Sequence, residues 1–253
     1  MSQVDKAQSF KKMHQKGAPL VLYNIWDAGS AKTIVDAGAT AVATGSWSVA
    51  GAQGYKDGQG IPLDFVLQIA ERIALTVDVP VSIDFEGAYA DTLSDVHKNV
   101  TQIINAGAIG INFEDQVVGG QGLHSVSDQA ARIKAARDAA EDIGIPLFIN
   151  ARTDLFLKAP KGAAHSELLD ETFDRASAYS DAGADGFFVP GLTDLGLIQK
   201  VTDQVNLPVN VMMLGPLFSP KAAAECGVSR VSYGPQPFSK AMKDLSNRFQ
   251  DLS

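Results

Sequence analysis

Two short signals alternate along this chain, and each occurs four times. One is a small-residue helix exit running into an apolar stretch: DAGATAVATGS (36–46), NAGAIGINFED (105–115), DAGADGFFVPG (181–191) and ECGVSRVSYGP (225–235). The other is a proline at the entrance to an apolar stretch: APLVLYNIWD (18–27), VPVSIDFEG (79–87), IPLFINARTD (145–154) and LPVNVMMLG (207–215). Gly38, Gly107, Gly183 and Gly227 fall where a helix C-terminus takes a left-handed residue. Pro19, Pro80, Pro146 and Pro208 suit a first strand position, which needs no ladder donor.

Interleaved, the two series give about eight short apolar strands, each followed by a helically patterned segment. In SDVHKNVTQIINAG and SDQAARIKAARDAAEDIG the apolar residues recur at three and four. Eight strand–helix units in 253 residues predict an α/β chain folded as one (β/α)8 TIM barrel over residues 1–253. A doubly wound open sheet is the competing architecture, but it would be shorter or open on a glycine-rich first turn. No linker, low-complexity tract or charge block divides the pattern.

Composition serves to exclude. The single cysteine, Cys226, rules out an internal disulfide or a multi-cysteine metal site, and its place at a helix exit reads as structural. A formal net charge of −8 disfavours nucleic acid as a partner. No apolar stretch reaches the roughly 20 residues of a membrane helix, and the N-terminus lacks the apolar core of a signal peptide. The expectation is a cytoplasmic protein with no membrane partner. An anionic small substrate would need local positive charge, from an arginine or a bound cation.

Barrel chemistry collects at the C-terminal ends of the strands. There the sequence places Asp27; Thr44, Gly45 and Ser46; Asp84 and Glu86; Asn112 and Glu114, with Asp115 next; Asn150 and Arg152, then Asp154; and Asn210. Residues two apart share a strand face, so Asp84/Glu86, Asn112/Glu114 and Asn150/Arg152 are each expected to point one way. Three acids then face one guanidinium. Two like charges about 5 Å apart at an effective dielectric near 20 repel by roughly 3 kcal/mol. Either some acids hold protons or a divalent cation neutralises them. Oxygen donors alone suit a hard ion, Mg2+ with several waters retained.

VSIDFEGAY, GINFEDQ and INARTD, with NIWDAGSAKTIVDAGATAVATGS before them and PVNVM after, resemble the isocitrate lyase/phosphoenolpyruvate mutase superfamily over nearly the whole chain. The resemblance implies a (β/α)8 barrel, a homo-oligomer (dimer or tetramer), and Mg2+ (or Mn2+) binding a 2-oxo acid or its enolate. It implies Asp84 as the direct metal ligand, with Glu86 and Glu114 holding metal-bound waters. Asp57 corresponds to an acid on a mobile loop near the substrate. Thr44, Gly45 and Ser46 correspond to the segment that hydrogen-bonds the substrate carboxylate. Arg152 matches the arginine on the oxo-acid oxygens, and Asn210 a substrate-contacting amide. Asp57, Arg152 and Glu114 are thus the expected catalytic residues.

One departure narrows the chemistry. The superfamily's lyases for isocitrate and methylisocitrate carry a cysteine acid/base in the loop after the fourth strand. Here that loop reads EDQVVGGQGLHSVSDQ, with no cysteine, lysine or arginine. His124 is its obvious titrating group, as a gate-loop acid or a solvated residue, and its glycines suggest a flexible lid. Trp47 either lines the pocket or packs under a loop. His97 and His165 read as surface residues, and Met212 and Met213 as core.

The leading expectation is therefore Mg2+-dependent cleavage of a C–C bond next to a 2-oxo acid enolate, by a lyase or decarboxylase. The substrate would be a small anionic 2-oxo acid or dicarboxylate of the oxaloacetate or substituted malate type. Phosphoenolpyruvate/phosphonopyruvate mutase or hydrolase activity is the first alternative. A barrel that binds 2-oxo acids without turnover is the second.

Overall fold

The computed structural model describes residues 1–215, 217 and 219–252. Among these the strands are β1 (Leu20–Leu22), β2 (Val42–Ala43), β3 (Val81–Asp84), β4 (Gly110–Glu114), β5 (Phe148–Arg152), β6 (Gly186–Phe188), β7 (Val209–Met212) and β8 (Arg230–Ser232). All are parallel and pair in the order β1-β8-β7-β6-β5-β4-β3-β2. Beyond the end of β1, Ile25 bridges to Thr44 in parallel, and its N–H donates to the Ala43 carbonyl. That rung brings the two edges of the sheet together, so the expected barrel is present.

Helices α1 (Gln3–Lys12), α2 (Ala28–Asp36), α3 (Ser46–Ala52), α4 (Leu63–Thr76), α5 (Leu93–Asn105) and α6 (Val126–Ile143) belong to the first half. The second half holds α7 (Leu155–Lys158), α8 (Leu169–Asp181), α9 (Leu195–Gln204), α10 (Pro220–Glu225) and α11 (Gln236–Gln250). Side chains cap several starts: Ser2 on α1, Asp27 on α2, Thr92 on α5, Ser125 on α6 and Asp194 on α9. Gly38, Gly107, Gly183 and Gly227 have φ of 103°, 98°, 100° and 79°, the left-handed exits expected of them.

Strand alternation sorts the barrel into two layers. Ile111, Phe113, Ile149, Ala151, Phe187, Val211 and Val231 are fully buried in one cluster with helix residues Ile103, Ile133, Ala136, Tyr179, Ile198 and Val201. The opposite parity fills the interior with Ser82, Asp84, Asn112, Asn150, Arg152, Asn210, Arg230 and Ser232, a polar set for a barrel core. The N-terminal end of the barrel is plugged by α1. Phe10 is fully buried 5.4 Å from the Phe148 ring, and His14, just past the helix, stacks on Phe148 at 4.1 Å. Among the described residues, no helix is long and apolar enough to cross a membrane.

Candidate active site

Asp84 ends β3, and its surroundings are built from three strands. Its N–H donates to Thr44 Oγ1 at 2.8 Å. Its Oδ2 accepts from the Ser46 N–H at 2.9 Å, and its Oδ1 from Asn112 Nδ2 at 3.3 Å. Each oxygen keeps a lone pair for another partner.

Glu86 reaches the site by a route that strand parity does not describe. β3 stops at Asp84; Phe85 adds one rung to the Asn112 carbonyl, and the chain then turns through Glu86, Ala88 and Tyr89 at φ of 51°, 60° and 54°. Three non-glycine residues in the left-handed region make an unfavourable turn that its surroundings must hold. Asn99 Nδ2 donates to the Ala88 and Tyr89 carbonyls, and Arg132 to those of Gly87 and Ala90. The Gln59 amide, its oxygen turned toward the turn, accepts from the Gly87 and Tyr89 N–H groups at 3.1 Å each. Glu86 is 3% exposed and accepts from the Gln59 N–H and the Tyr89 hydroxyl. Burial above all, then the charges of Asp84 and Asp57, pushes its carboxyl up to about 7.

Arg152 is the hub of the acids. Its Nη1 lies 3.0 Å from Glu114 and 3.9 Å from Asp84, while Nε and Nη2 grip both oxygens of Asp154 at 2.6 and 3.0 Å. Burial works against its charge, but Glu114, Asp154 and Asp84 outweigh it and hold the guanidinium protonated. Burial pushes Glu114 upward, with Arg152 pulling the other way. Asp115 stands outside this group. It accepts from the Asp154 N–H, Arg175 and the Tyr179 hydroxyl, and so ties β4 and β5 to α8.

The polar lining of the cleft above these groups is Asn24, Gly45, Ser46, Asp57, Asp84, Asn112, Arg152 and Ser232. The rest of its lining includes the apolar side chains Trp47, Leu157, Phe188, Pro190, Met212 and Pro235, with the Phe188 ring 6.0 Å from the Arg152 guanidinium. Among the residues lining it, Arg152 is the one basic side chain. Asp57, Gly45, Ser46, Trp47, Asp84 and Arg152 therefore meet as expected. Burial, then Asp84, raises the Asp57 carboxyl.

Two expected contacts lie elsewhere. Thr44 is 2% exposed with its hydroxyl committed to Asp84, so it shapes the strand end rather than the cleft. Asn210 sits two residues before the end of β7, one layer deeper, and pairs with Ser232 at 3.3 Å. Met212, expected in the core, is the β7 residue that lines the cleft; Met213 is buried as expected.

Asn24 was not singled out from sequence, although it ends an apolar run as the other site residues do. Its amide donates to the Thr44 carbonyl and accepts from the Tyr233 and Gly234 N–H groups, joining three strand ends. The glycine-rich loop after β4 is a small hydrogen-bonded hairpin, with Gln116 bridging Leu123 and Val117 N–H donating to Gly122. His124 is tied to the Asp115 carbonyl by its N–H and does not line the cleft. His97 pairs with Asp142 at the surface, and the His165 ring lies 5.2 Å from that of Phe156.

A divalent cation fits this donor set in one way. Among the described residues, no group of three or more histidine, cysteine or acidic side chains converges tightly enough to hold a metal ion by itself. Glu114 is turned to Arg152, and Glu86 to Gln59 and Tyr89. Asp84 as a single protein ligand, with waters held by the other acids, matches the habit of Mg2+. The neighbouring carboxylates, which after burial help to raise Glu86 and Asp57, are the electrostatic counterpart of that fit.

The profile of the phosphoenolpyruvate phosphomutase family matches residues 10–253. A crystal structure of a Burkholderia cenocepacia protein provisionally called a phosphonomutase superposes with a TM-score of 0.94 at 46% identity, covering 97% of this chain and 99% of that one. The 2-methylisocitrate lyase of Salmonella typhimurium is 31% identical over 92% of this chain and 80% of its own length. The oxaloacetate decarboxylase of Paraburkholderia xenovorans is 29% identical over 76% of this chain and 65% of its own.

Proposed function

Because this chain belongs to the phosphoenolpyruvate phosphomutase family, we propose that it is a Mg2+-dependent enzyme cleaving a C–C bond beside the enolate of a small 2-oxo acid. It acts as a lyase or decarboxylase on a substrate of the oxaloacetate or substituted malate type.

One observation carries this choice: the cleft combines a single guanidinium and the Asp57 and Asp84 carboxylates with apolar lining from Leu157, Phe188, Pro190 and Met212. The chelating end of a 2-oxo acid suits the polar lining. The far end meets apolar surface, where a carboxylate about to leave as neutral CO2 loses solvation that it would forfeit in the transition state anyway. A phosphonate would need a second cation, and the cleft lining offers none. A pure binder would need neither the surplus acids nor Asp57.

Asp84 would hold the ion, Mg2+ or alternatively Mn2+, with Glu86 and Glu114 holding its waters. When bound, such an ion polarises the carboxylate and 2-oxo oxygens and offsets enolate charge. Arg152, fixed by Glu114 and Asp154, donates to the same oxygens without having to reorganise. Gly45 and Ser46, with Trp47 beside them, line the part of the cleft that would receive the substrate carboxylate. Asp57, which lines the cleft beside Ser46 and Asp84, is the acid placed to deliver a proton to the enolate carbon.

The loop after β4 lacks the cysteine of the methylisocitrate and isocitrate lyases, which argues against those substrates despite the sequence likeness to 2-methylisocitrate lyase. The phosphonomutase-type relative keeps a second reading alive, phosphonopyruvate mutase or hydrolase. Purified protein with Mg2+, or with EDTA, decides. Pyruvate formed from oxaloacetate or dimethylmalate that stops with EDTA supports the first reading. Turnover of phosphonopyruvate alone moves the assignment to the second. We further read the protein as a cytoplasmic homo-oligomer, dimer or tetramer. The exposed apolar residues Met242, Leu245 and Phe249 of α11 support an interface there.

A further inference from the structure

Among the described residues, the largest fully buried side chain is a charged one. Arg230, the first residue of β8, reaches across the barrel interior beneath the cleft. Its Nη2 donates to Asn112 Oδ1 at 3.1 Å, whereas Nε and Nη1 have no partner. Below it lies the Phe10 ring of the plug, 6.0 Å from the guanidinium. Burying a guanidinium on one hydrogen bond is unfavourable, and an apolar side chain would fill the same space without that cost. Packing therefore does not account for Arg230.

Its effect on Asn112 does. The two lone pairs of Asn112 Oδ1 are taken by Arg230 Nη2 and by Asn150 Nδ2 at 2.9 Å. Arginine has no acceptor, so the Asn112 atom facing it must be the oxygen, and the amide cannot be reversed. Nδ2 then faces the other way. One of its protons goes to Asp84 Oδ1, and the second is left for the cleft, which Asn112 lines. A cation on the amide oxygen also makes the nitrogen a stronger donor.

We propose that Asn112 donates its second N–H to the oxyanion that develops on the substrate, and that Arg230 is the buried positioning residue that orients and polarises it. The inference rests on the reading above that a 2-oxo acid enolate forms in this cleft. Without Arg230, the Asn112 amide keeps only Asp84 and Asn150 as partners, and no cation polarises its oxygen.

The test uses oxalate, a planar dianion shaped like such an enolate. Its binding is measured by calorimetry at saturating Mn2+, beside Mn2+ binding alone by electron paramagnetic resonance and the melting temperature. Arg230→Met should weaken oxalate binding about tenfold or more. It should not weaken Mn2+ binding, because it removes a like charge, and should not lower the melting temperature. Arg230→Lys, which keeps the charge and a donor, should recover part of the loss. Asn112→Ser should lose as much as Arg230→Met, and the double variant no more than either alone. Oxalate affinity within about twofold of wild type in Arg230→Met or Asn112→Ser would overturn the proposal. So would losses that add in the double variant, or a parallel fall of Mn2+ affinity and melting temperature, which marks a structural role. If Arg230→Met does not fold, Arg230→Lys and Asn112→Ser carry the same comparison. Wild-type protein that binds neither Mn2+ nor oxalate overturns the proposed function instead, an outcome separate from any variant's behaviour.

Discussion

Arg132 Nη2, on α6, donates to the carbonyl oxygen of Gly87 at 2.7 Å, across 45 residues of sequence. Its Nη1 holds the Ala90 carbonyl at 3.1 Å, and its guanidinium lies over the Phe113 ring at 5.5 Å. One side chain thus spans the turn that carries Glu86 inward. The left-handed backbone at Glu86, Ala88 and Tyr89 persists because Arg132, Asn99 and Gln59 hold its carbonyl and N–H groups.

Replacing Arg132 with leucine should therefore cost stability and function together. Two carbonyls lose a charged donor, which corresponds to about 2–4 kcal/mol in urea unfolding. Mg2+ affinity should fall alongside, because Glu86 is no longer held where it is. A variant as stable as wild type would show that the turn holds itself.

Gly60→Ala tests the Asp57 loop. A Cβ at residue 60 would collide with the Lys56 carbonyl oxygen, so the segment carrying Asp57 must move. The loop is exposed, and stability should change by less than about 1 kcal/mol. Turnover should drop on the order of a hundredfold, as a displaced reacting group predicts. Steady-state kinetics next to a melting curve separates the two effects.

Asp84→Asn should remove Mg2+ binding and lower turnover on the order of a thousandfold or more. Without metal the folded protein should lose at most about 1 kcal/mol, since one amide nitrogen then faces the Ser46 N–H or Asn112 Nδ2. The change keeps the shape of the side chain and removes a charge that pushes up Glu86 and Asp57. Calorimetric titration with Mg2+ and thermal melting in EDTA check both halves.

Glu86 predicts the sign of a pH effect. Its folded value near 7 lies above the ordinary 4.5, so the folded state holds the proton more tightly. The stability it contributes is full below about pH 4.5 and is lost as pH rises through about 7, by roughly 3 kcal/mol at most. In EDTA, Glu86→Gln should then gain on wild type progressively between pH 5 and about 8. Added Mg2+ should shrink the gap. A difference that stays flat across that range would contradict the environment assigned to Glu86.

How far these groups could be read from sequence depended on how local their causes are. Asp84 and Arg152 lie on regular strand, and alternation placed them correctly in the interior. Glu86 was expected beside Asp84 for a reason that fails, since β3 has ended, yet it arrives through a turn that Arg132 and Asn99 hold from distant helices. Thr44 and Asn210 were placed at the right strand ends but at the wrong depth. Depth depends on where each strand stops, and no local pattern marks that to within two residues.

The chain by itself determined the barrel: glycine exits, proline entrances and apolar periods act within a few residues of one another and need no distant partner. It also determined which strand ends carry acids. Only the folded chain decided what those acids do. It tied Arg152 to three carboxylates, led Glu86 in by a strained turn, and set Arg230 beneath Asn112 across 118 residues. Hydrogen bonds and charge pairs act over a few ångströms, and barrel closure brings those ångströms together from opposite ends of the sequence.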